Sequence, residues 1–176
     1  MRRLFVLAAV SATVFALAPV ASSTPARPTV ERRGALERAV VRELNRARAA
    51  HGLRAVRCGD GLSAAAAQHS RSMLELGFFE HESADGTSFD RRIRRYYTNR
   101  GWQTWAVGEA LLSSSVTISA REIVETWIQS PPHRAVILSP VYRDAGVGVY
   151  YTPEASGAFG GYPALVVTAD FGLRER

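Results

Sequence analysis

The sequence predicts an α+β domain in which helices cover an antiparallel sheet. Two observations carry this prediction: segments with helical spacing of apolar residues occupy the chain before residue 140, and segments with alternating apolar residues come last. About 150 residues remain once an N-terminal leader is set aside, which suits one domain with a sizeable core. We therefore expect a single folded domain.

The first 22 residues have the features of a secretory signal peptide. Two arginines precede an apolar run over residues 4–18, and small residues follow this run. The run is shorter than the about 20 residues that a membrane-spanning helix needs. We expect a signal peptide over residues 1–22, with an uncleaved anchor as the alternative, then a spacer over 23–33 and the folded domain over 34–174. The mature protein should be a secreted monomer without a stable membrane span.

Charge and cysteine content narrow the function classes. The formal net charge is +6, which permits attraction to anionic partners, whereas nucleic acid does not suit an exported protein. Cys58 is the only cysteine, so no intramolecular disulfide can form. We expect this thiol to be buried as a small apolar side chain.

Two helices are predicted in the first half of the chain. Apolar residues recur at helical spacing over residues 31–50, and a second helix is expected to begin near Asp60 as its N-cap and to stop at Gly77. His69 lies on the apolar stripe of the second helix. We expect it to be a hydrogen-bonded core histidine.

The segment 78–108 is predicted to be rich in loops, with a short helix around residues 90–97. Ile93 and Tyr97 have the spacing of an inward face there. The four arginines of this helix should then form a solvated basic face: Arg91, Arg92, Arg94 and Arg95.

A third helix and two strands are predicted in the last third of the chain. Ser119 and Glu122 form a capping box for the helix, and two prolines at 131 and 132 end it. One further helical turn follows them. Apolar residues then alternate over 147–151 and 165–171, which indicates a hairpin of two strands.

Three ionisable residues stand beside predicted breaks in regular structure, where side chains can line a site. His81 follows two phenylalanines, Glu109 follows Gly108, and His133 follows the two prolines, whose restricted dihedral angles fix the direction of the next side chain. Their separation matches no known metal motif. The residues alone leave open a common site or three independent local roles.

Several stretches resemble the CAP superfamily of cysteine-rich secretory, antigen 5 and pathogenesis-related proteins, in particular its bacterial secreted branch. The matching stretches occur in order along the chain: LNRARAAHGL at 44–53, AAAAQHSRSMLELGFFEHESADGTSF at 64–89, VGEAL at 107–111, ETWIQSPPHRAVILSPVYRDAGVGV at 125–149 and VVTADFG at 166–172. The resemblance implies a three-layer α-β-α sandwich with a central antiparallel sheet. It also implies a cleft that many members line with two histidines and two glutamates.

The resemblance assigns three of these four positions to His81, Glu109 and His133. Ser130 occupies the fourth, where members with the full set have glutamate. Glu125 is not a substitute, because it lies about 140° away around the helix. Ala110 stands where the family usually has asparagine, which alters the hydrogen bonding expected beside Glu109.

This residue set suggests two functions. The first is an extracellular binding module for a lipid, a peptide or a cell-envelope component. In it His81 and His133 would weakly bind zinc or another divalent transition metal, and Glu109 would hold a water. The second is a metal-assisted peptide or ester hydrolase with His81, Glu109 and His133 as catalytic residues. A purely structural role in the cell envelope is a third possibility.

Overall fold

The computed structural model of the protein describes residues 29–176, so the expected signal peptide lies outside the described residues. Within this range the strands are Glu31–Arg32 (β1), Arg57–Cys58 (β2), Thr104–Ser114 (β3), Asp144–Thr152 (β4) and Ala164–Glu175 (β5). The helices are Gly34–Ala50 (α1), Asp60–Leu76 (α2), Phe89–Arg94 (α3), Ala120–Gln129 (α4) and Pro131–Ile137 (α5). A short 3₁₀ helix covers Gly157–Phe159.

The strands form one sheet in the order β1-β4-β5-β3, in which these neighbours are antiparallel, and β2 adds a short parallel pairing with β4. The predicted hairpin of β4 and β5 is confirmed. Strand β3 was not predicted, because its first residues are polar or half-exposed and Gly108 interrupts its apolar run. Glu31–Arg32, within the expected spacer, are part of the sheet as β1.

Helices cover both faces of this sheet, which confirms the α+β class and the three-layer sandwich. Helices α1, α4 and α5 pack on one face and α2 and α3 on the other. The larger apolar core lies under α1 and α4, where Leu44, Trp127 and Phe171 are fully buried. The indole N–H of Trp127 donates to the carbonyl of Leu111 at 2.9 Å, which ties α4 to β3.

Helix α2 lies unusually close to β4. A Cβ atom added at Gly146 or Gly148 would overlap backbone atoms of Ser63 or Ala67 in α2. Only glycine therefore lets the helix backbone rest directly on the strand. This contact fixes the layer that carries one half of the candidate site.

Helix boundaries follow the predicted signals with four differences, one of which is that α3 ends at Arg94 rather than near residue 97. The capping box of Ser119 and Glu122 opens α4 as predicted, and Gly77 ends α2 with a left-handed φ of 70°. Helix α1 begins at Gly34 because the residues before it pair with β4. Asp60 is the first residue of α2 rather than its cap, and α5 starts at the prolines themselves.

The expectation that Cys58 is buried is wrong. Its side chain is exposed, with Sγ 3.7 Å from the hydroxyl of Ser63. Cys58 lies in β2, a two-residue strand beside β4 whose residues are both exposed, so the segment offers no apolar interior to the thiol.

Candidate functional site

Glu109 lies in the middle of β3, not beside a break in regular structure as predicted. Gly108 before it is also in the strand, where its small size leaves room for the Tyr142 ring. The Glu109 side chain is 0% exposed and points to the sheet face covered by α2 and α3. A carboxylate in this position needs donors close by, because its charge has been removed from water.

His81 supplies one of these donors from the segment between α2 and α3. Its Nδ1 atom lies 2.8 Å from Oε1 of Glu109, and its side chain is 50% exposed. Because a carboxylate oxygen accepts, Nδ1 carries a proton, and in the neutral form of the ring Nε2 has a free lone pair. Within residues 29–176, Nε2 makes no hydrogen bond. In its neutral form the ring therefore has one unpaired acceptor nitrogen on a half-exposed side chain whose other nitrogen is held by Glu109.

Arg92 supplies the second donor and was missed by the sequence analysis. Its Nη2 donates to Oε2 of Glu109, and its Nη1 donates to the carbonyl of His81 at 2.8 Å. The predicted solvated face is correct for the other three arginines of the segment, but Arg92 is 2% exposed beside the buried Ile93. The available signal was that a buried glutamate needs a cation and that arginines are plentiful in this segment.

His69 supports the same site from α2 and is the core histidine that was predicted. It is fully buried, and its Nε2 lies 2.9 Å from the carbonyl of Glu80, next to His81. Burial, together with the charge of Arg92, lowers the pKa of His69 to about 4, so its ring is neutral at pH 7. This hydrogen bond holds the backbone that carries His81.

His133 approaches the site from the opposite face of the sheet. It is half-buried in α5, two residues after the first proline, and α5 packs against β3. Burial, and then the charge of His81, lower the pKa of His133. No hydrogen bond joins the two rings in the described structure. The structure directly joins His81 with Glu109, whereas His133 lies in α5, a helix that packs against β3 from the other face of the sheet.

Asp170 is a further residue that the sequence analysis did not find. It lies on β5 directly opposite Glu109 and is fully buried. The signal in the sequence was an acidic residue within the alternating apolar strand 165–171.

The donor set does not fit a firmly held metal ion. Among residues 29–176, no group of three or more His, Cys, Asp or Glu side chains is arranged to hold one. Both oxygens of Glu109 already have partners in His81 and Arg92. The remaining candidates for metal ligands are His81 Nε2 and the ring of His133. Two protein ligands are fewer than the three or four of established zinc sites.

The structure also shows where the residues lie that depart from the family's set of two histidines and two glutamates. Ser130 ends α4 and begins α5, and Glu125 is exposed and paired with Arg121 at 2.7 Å, away from the site. Ala110 is buried in the core on the other face of β3 from Glu109.

The half-exposed His81 places the site at the surface, beside the edge strand β3. Four of the surface cavities in the described part of the chain have volumes of about 410 to 790 Å³. His81, Glu109 and His133 line none of these four.

The chain is thus an α+β domain of the three-layer sandwich class, and its site pairs the buried Glu109 with the half-exposed His81. The sequence model of the Cysteine-rich secretory protein family (CAP) matches residues 41–171, and the chain belongs to this family.

A relative in Bacillus subtilis strain 168, the uncharacterized protein YkwD, is 30% identical over 115 residues. These residues cover 65% of this chain and 42% of YkwD, so the chain matches less than half of that relative.

Solved structures show the same fold. One is an extracellular protein containing a SCP domain from Bacillus anthracis, with a TM-score of 0.62 and 19% identity over 81% of this chain and 41% of that protein. Another is an outer surface protein from Borrelia burgdorferi, with a TM-score of 0.64 and 20% identity over 84% of this chain and 99% of that one. Across residues 29–176, no helix has the length and apolar character needed to cross a membrane.

Proposed function

We propose that this protein is an exported binding domain that captures an extracellular ligand, a lipid, a peptide or a cell-envelope component, through His81 and His133. One observation carries the proposal: Glu109 holds the half-exposed ring of His81 through Nδ1, Arg92 holds its backbone carbonyl, and Nε2 has no hydrogen-bond partner in residues 29–176. A rigid acceptor at the surface binds a donor group of a ligand at low cost in conformational entropy.

Export is part of the proposal. The signal-peptide features of residues 1–22 support it, and so do the structural relatives described as extracellular or as outer surface proteins. The basic composition favours a ligand with anionic character.

The proposal is tested by observing the histidine side chains during ligand titration. The secreted protein, labelled with ¹⁵N, is titrated with vesicles of phosphatidylglycerol and phosphatidylcholine, with peptidoglycan fragments and with a mixture of short peptides. We expect at least one probe to shift the ring signals of His81 and His133. His51, an exposed histidine at the C-terminal end of α1 with Nδ1 2.8 Å from the carbonyl of Ala47, should stay unchanged.

His81→Ala should abolish the binding, and His51→Ala is the matched control that should retain it. The proposal is rejected if no probe shifts His81 or His133, or if His81→Ala binds as well as the natural protein.

A hydrolase is the second candidate, because a histidine whose Nδ1–H is held by a buried carboxylate has the arrangement of a general base. In that mechanism His81 Nε2 would accept a proton from water, and Glu109 would stabilise the resulting imidazolium. The serines at 113–115 are too far away to act as the nucleophile. Ser113 lies four positions along β3 from Glu109, which corresponds to roughly 13 Å between their Cα atoms.

Turnover of a peptide and ester panel, lost in Glu109→Gln with the fold intact, would favour the hydrolase over the binding domain. The absence of turnover across the panel would count against it.

A further inference from the structure

Asp170 has the surroundings of an unpaired buried acid. Its two carboxyl oxygens are inaccessible to solvent, and neither accepts a hydrogen bond from any donor in residues 29–176. On one side of it in the sheet lies Gly146, which has no side chain, and on the other lies Glu109. An ionised carboxylate is rarely left buried without donors, because nothing then replaces its hydration.

The charges that face Asp170 do not balance two ionised acids. Arg92 from α3 is a cation, but its hydrogen bonds go to Glu109 and to the segment of His81, and none reaches Asp170. His69 from α2 is neutral at pH 7, as described above. Two ionised carboxylates and one guanidinium would leave a net negative charge in the interior, which only protonation of the half-exposed His81 ring could balance.

We infer that Asp170 is a protonated carboxylic acid at neutral pH and donates its hydroxyl hydrogen to Glu109. The proton is taken from solvent, Glu109 keeps its negative charge, and Arg92 balances it. Glu109 then accepts hydrogen bonds from His81, Arg92 and Asp170. Glu109 and Asp170 are directly paired across β3 and β5, so their side chains leave the same face of the sheet with Cβ atoms about 4.5 to 5.5 Å apart. Burial and the charge of Glu109 raise the pKa of Asp170 well above its usual range despite the attraction of Arg92.

This bond makes Asp170 a positioning residue. The hydrogen bond from β5 holds the carboxylate of Glu109 on β3, and Glu109 in turn holds the ring of His81. The inference deepens the proposed function and rests on it for the use of His81, but the protonation of Asp170 is measured without any ligand. The two ideas can therefore fail separately.

Infrared spectroscopy of the whole protein tests the protonation. We expect the carbonyl band of a protonated carboxyl group at pH 7, and this band should move when aspartate is labelled with ¹³C. It should vanish in Asp170→Asn. It should persist in Asp144→Asn, a control that removes an aspartate already paired with Arg57 and Tyr97.

Absence of the band at pH 7 would overturn the inference, and so would a band that responds to ¹³C-glutamate instead of ¹³C-aspartate. The labelling experiment uses the natural sequence, so it decides the question even if a variant does not fold.

The positioning role is tested by the tautomer of His81, read from its ring ¹⁵N shifts. Asp170→Asn retains a donor to Glu109 and should leave the Nδ1–H form of His81 unchanged. Asp170→Ala removes the donor and should reduce the population of that form, an effect that loss of stability alone would not produce in the folded protein. An unchanged His81 tautomer in folded Asp170→Ala would refute the positioning role.

Discussion

His81 Nδ1 lies 2.8 Å from Oε1 of Glu109, although one side chain is half-exposed and the other is fully buried. The pair therefore spans the boundary between the interior and solvent. Interior partners of Glu109 should control the stability of the fold, whereas His81 itself should control binding.

Replacing Arg92 with methionine should strongly destabilise the protein. It leaves Glu109 as a buried charge without its cation, and breaking a buried pair in this way costs about 3 to 5 kcal/mol. Urea unfolding at pH 7 measures this loss. The exposed neighbour provides a matched control, since Arg91→Met should change the free energy of unfolding by less than about 0.5 kcal/mol. Equal effects of the two substitutions would contradict the buried ion pair.

His69 should make the protein less stable in acid. Its folded pKa of about 4 lies below the unfolded value of about 6.5, so the unfolded chain binds a proton that the folded chain does not. Its contribution is complete above pH 6.5 and is lost as the pH falls toward 4, by about 3 kcal/mol in total.

The variant His69→Gln, which keeps a donor for the Glu80 carbonyl, should flatten the dependence of stability on pH in this window. Unfolding free energies measured between pH 4 and 7 provide the comparison, with the exposed His51→Gln as control. A slope in His69→Gln as steep as in the natural protein would show that another group is responsible.

Adding a methyl group at Gly148 should disrupt the contact between α2 and β4. The new Cβ would overlap the backbone of Ala67, which cannot move without displacing the helix. We expect a loss of at least about 1 to 3 kcal/mol, the range for overpacked interiors. Gly34→Ala, where the nearest atoms are flexible side-chain ends at 3.7 and 3.8 Å, should be neutral or slightly stabilising. Thermal unfolding that ranks the two variants equally would argue against the close backbone contact.

Zinc should bind weakly if His81 and His133 share an ion, as the sequence suggested. Two imidazoles leave most of the coordination shell to water, so the calorimetric titration should show low affinity and full reversal by a chelator. The double variant His81→Ala with His133→Ala should give no binding heat, whereas His51→Ala should behave like the natural protein. Identical traces for the natural protein and the double variant would remove the metal from the function.

The sequence predicted those parts of the fold that depend on local patterns. Strands β4 and β5 were visible because both alternate clearly, and α4 was visible through its capping box. Strand β3 was hidden because it is at the edge of the sheet, so its alternation is weak where it begins.

The candidate site was likewise predicted only in part from the sequence. His81, Glu109 and His133 were found through the family resemblance, since each belongs to a recognisable stretch. Arg92 was hidden among similar arginines, because the choice of the inward one depends on a glutamate 17 residues away. The importance of Asp170 depends likewise on a pairing between strands that no single segment reveals.

The two histidines reach this edge from opposite sides: His81 from the layer of α2 and α3, and His133 from α5, with β3 between them. A molecule that contacts both rings would therefore cross the edge strand β3 and touch both faces of the sheet. Its presence should then slow amide hydrogen exchange along β3 more than along β1, which lies at the opposite border.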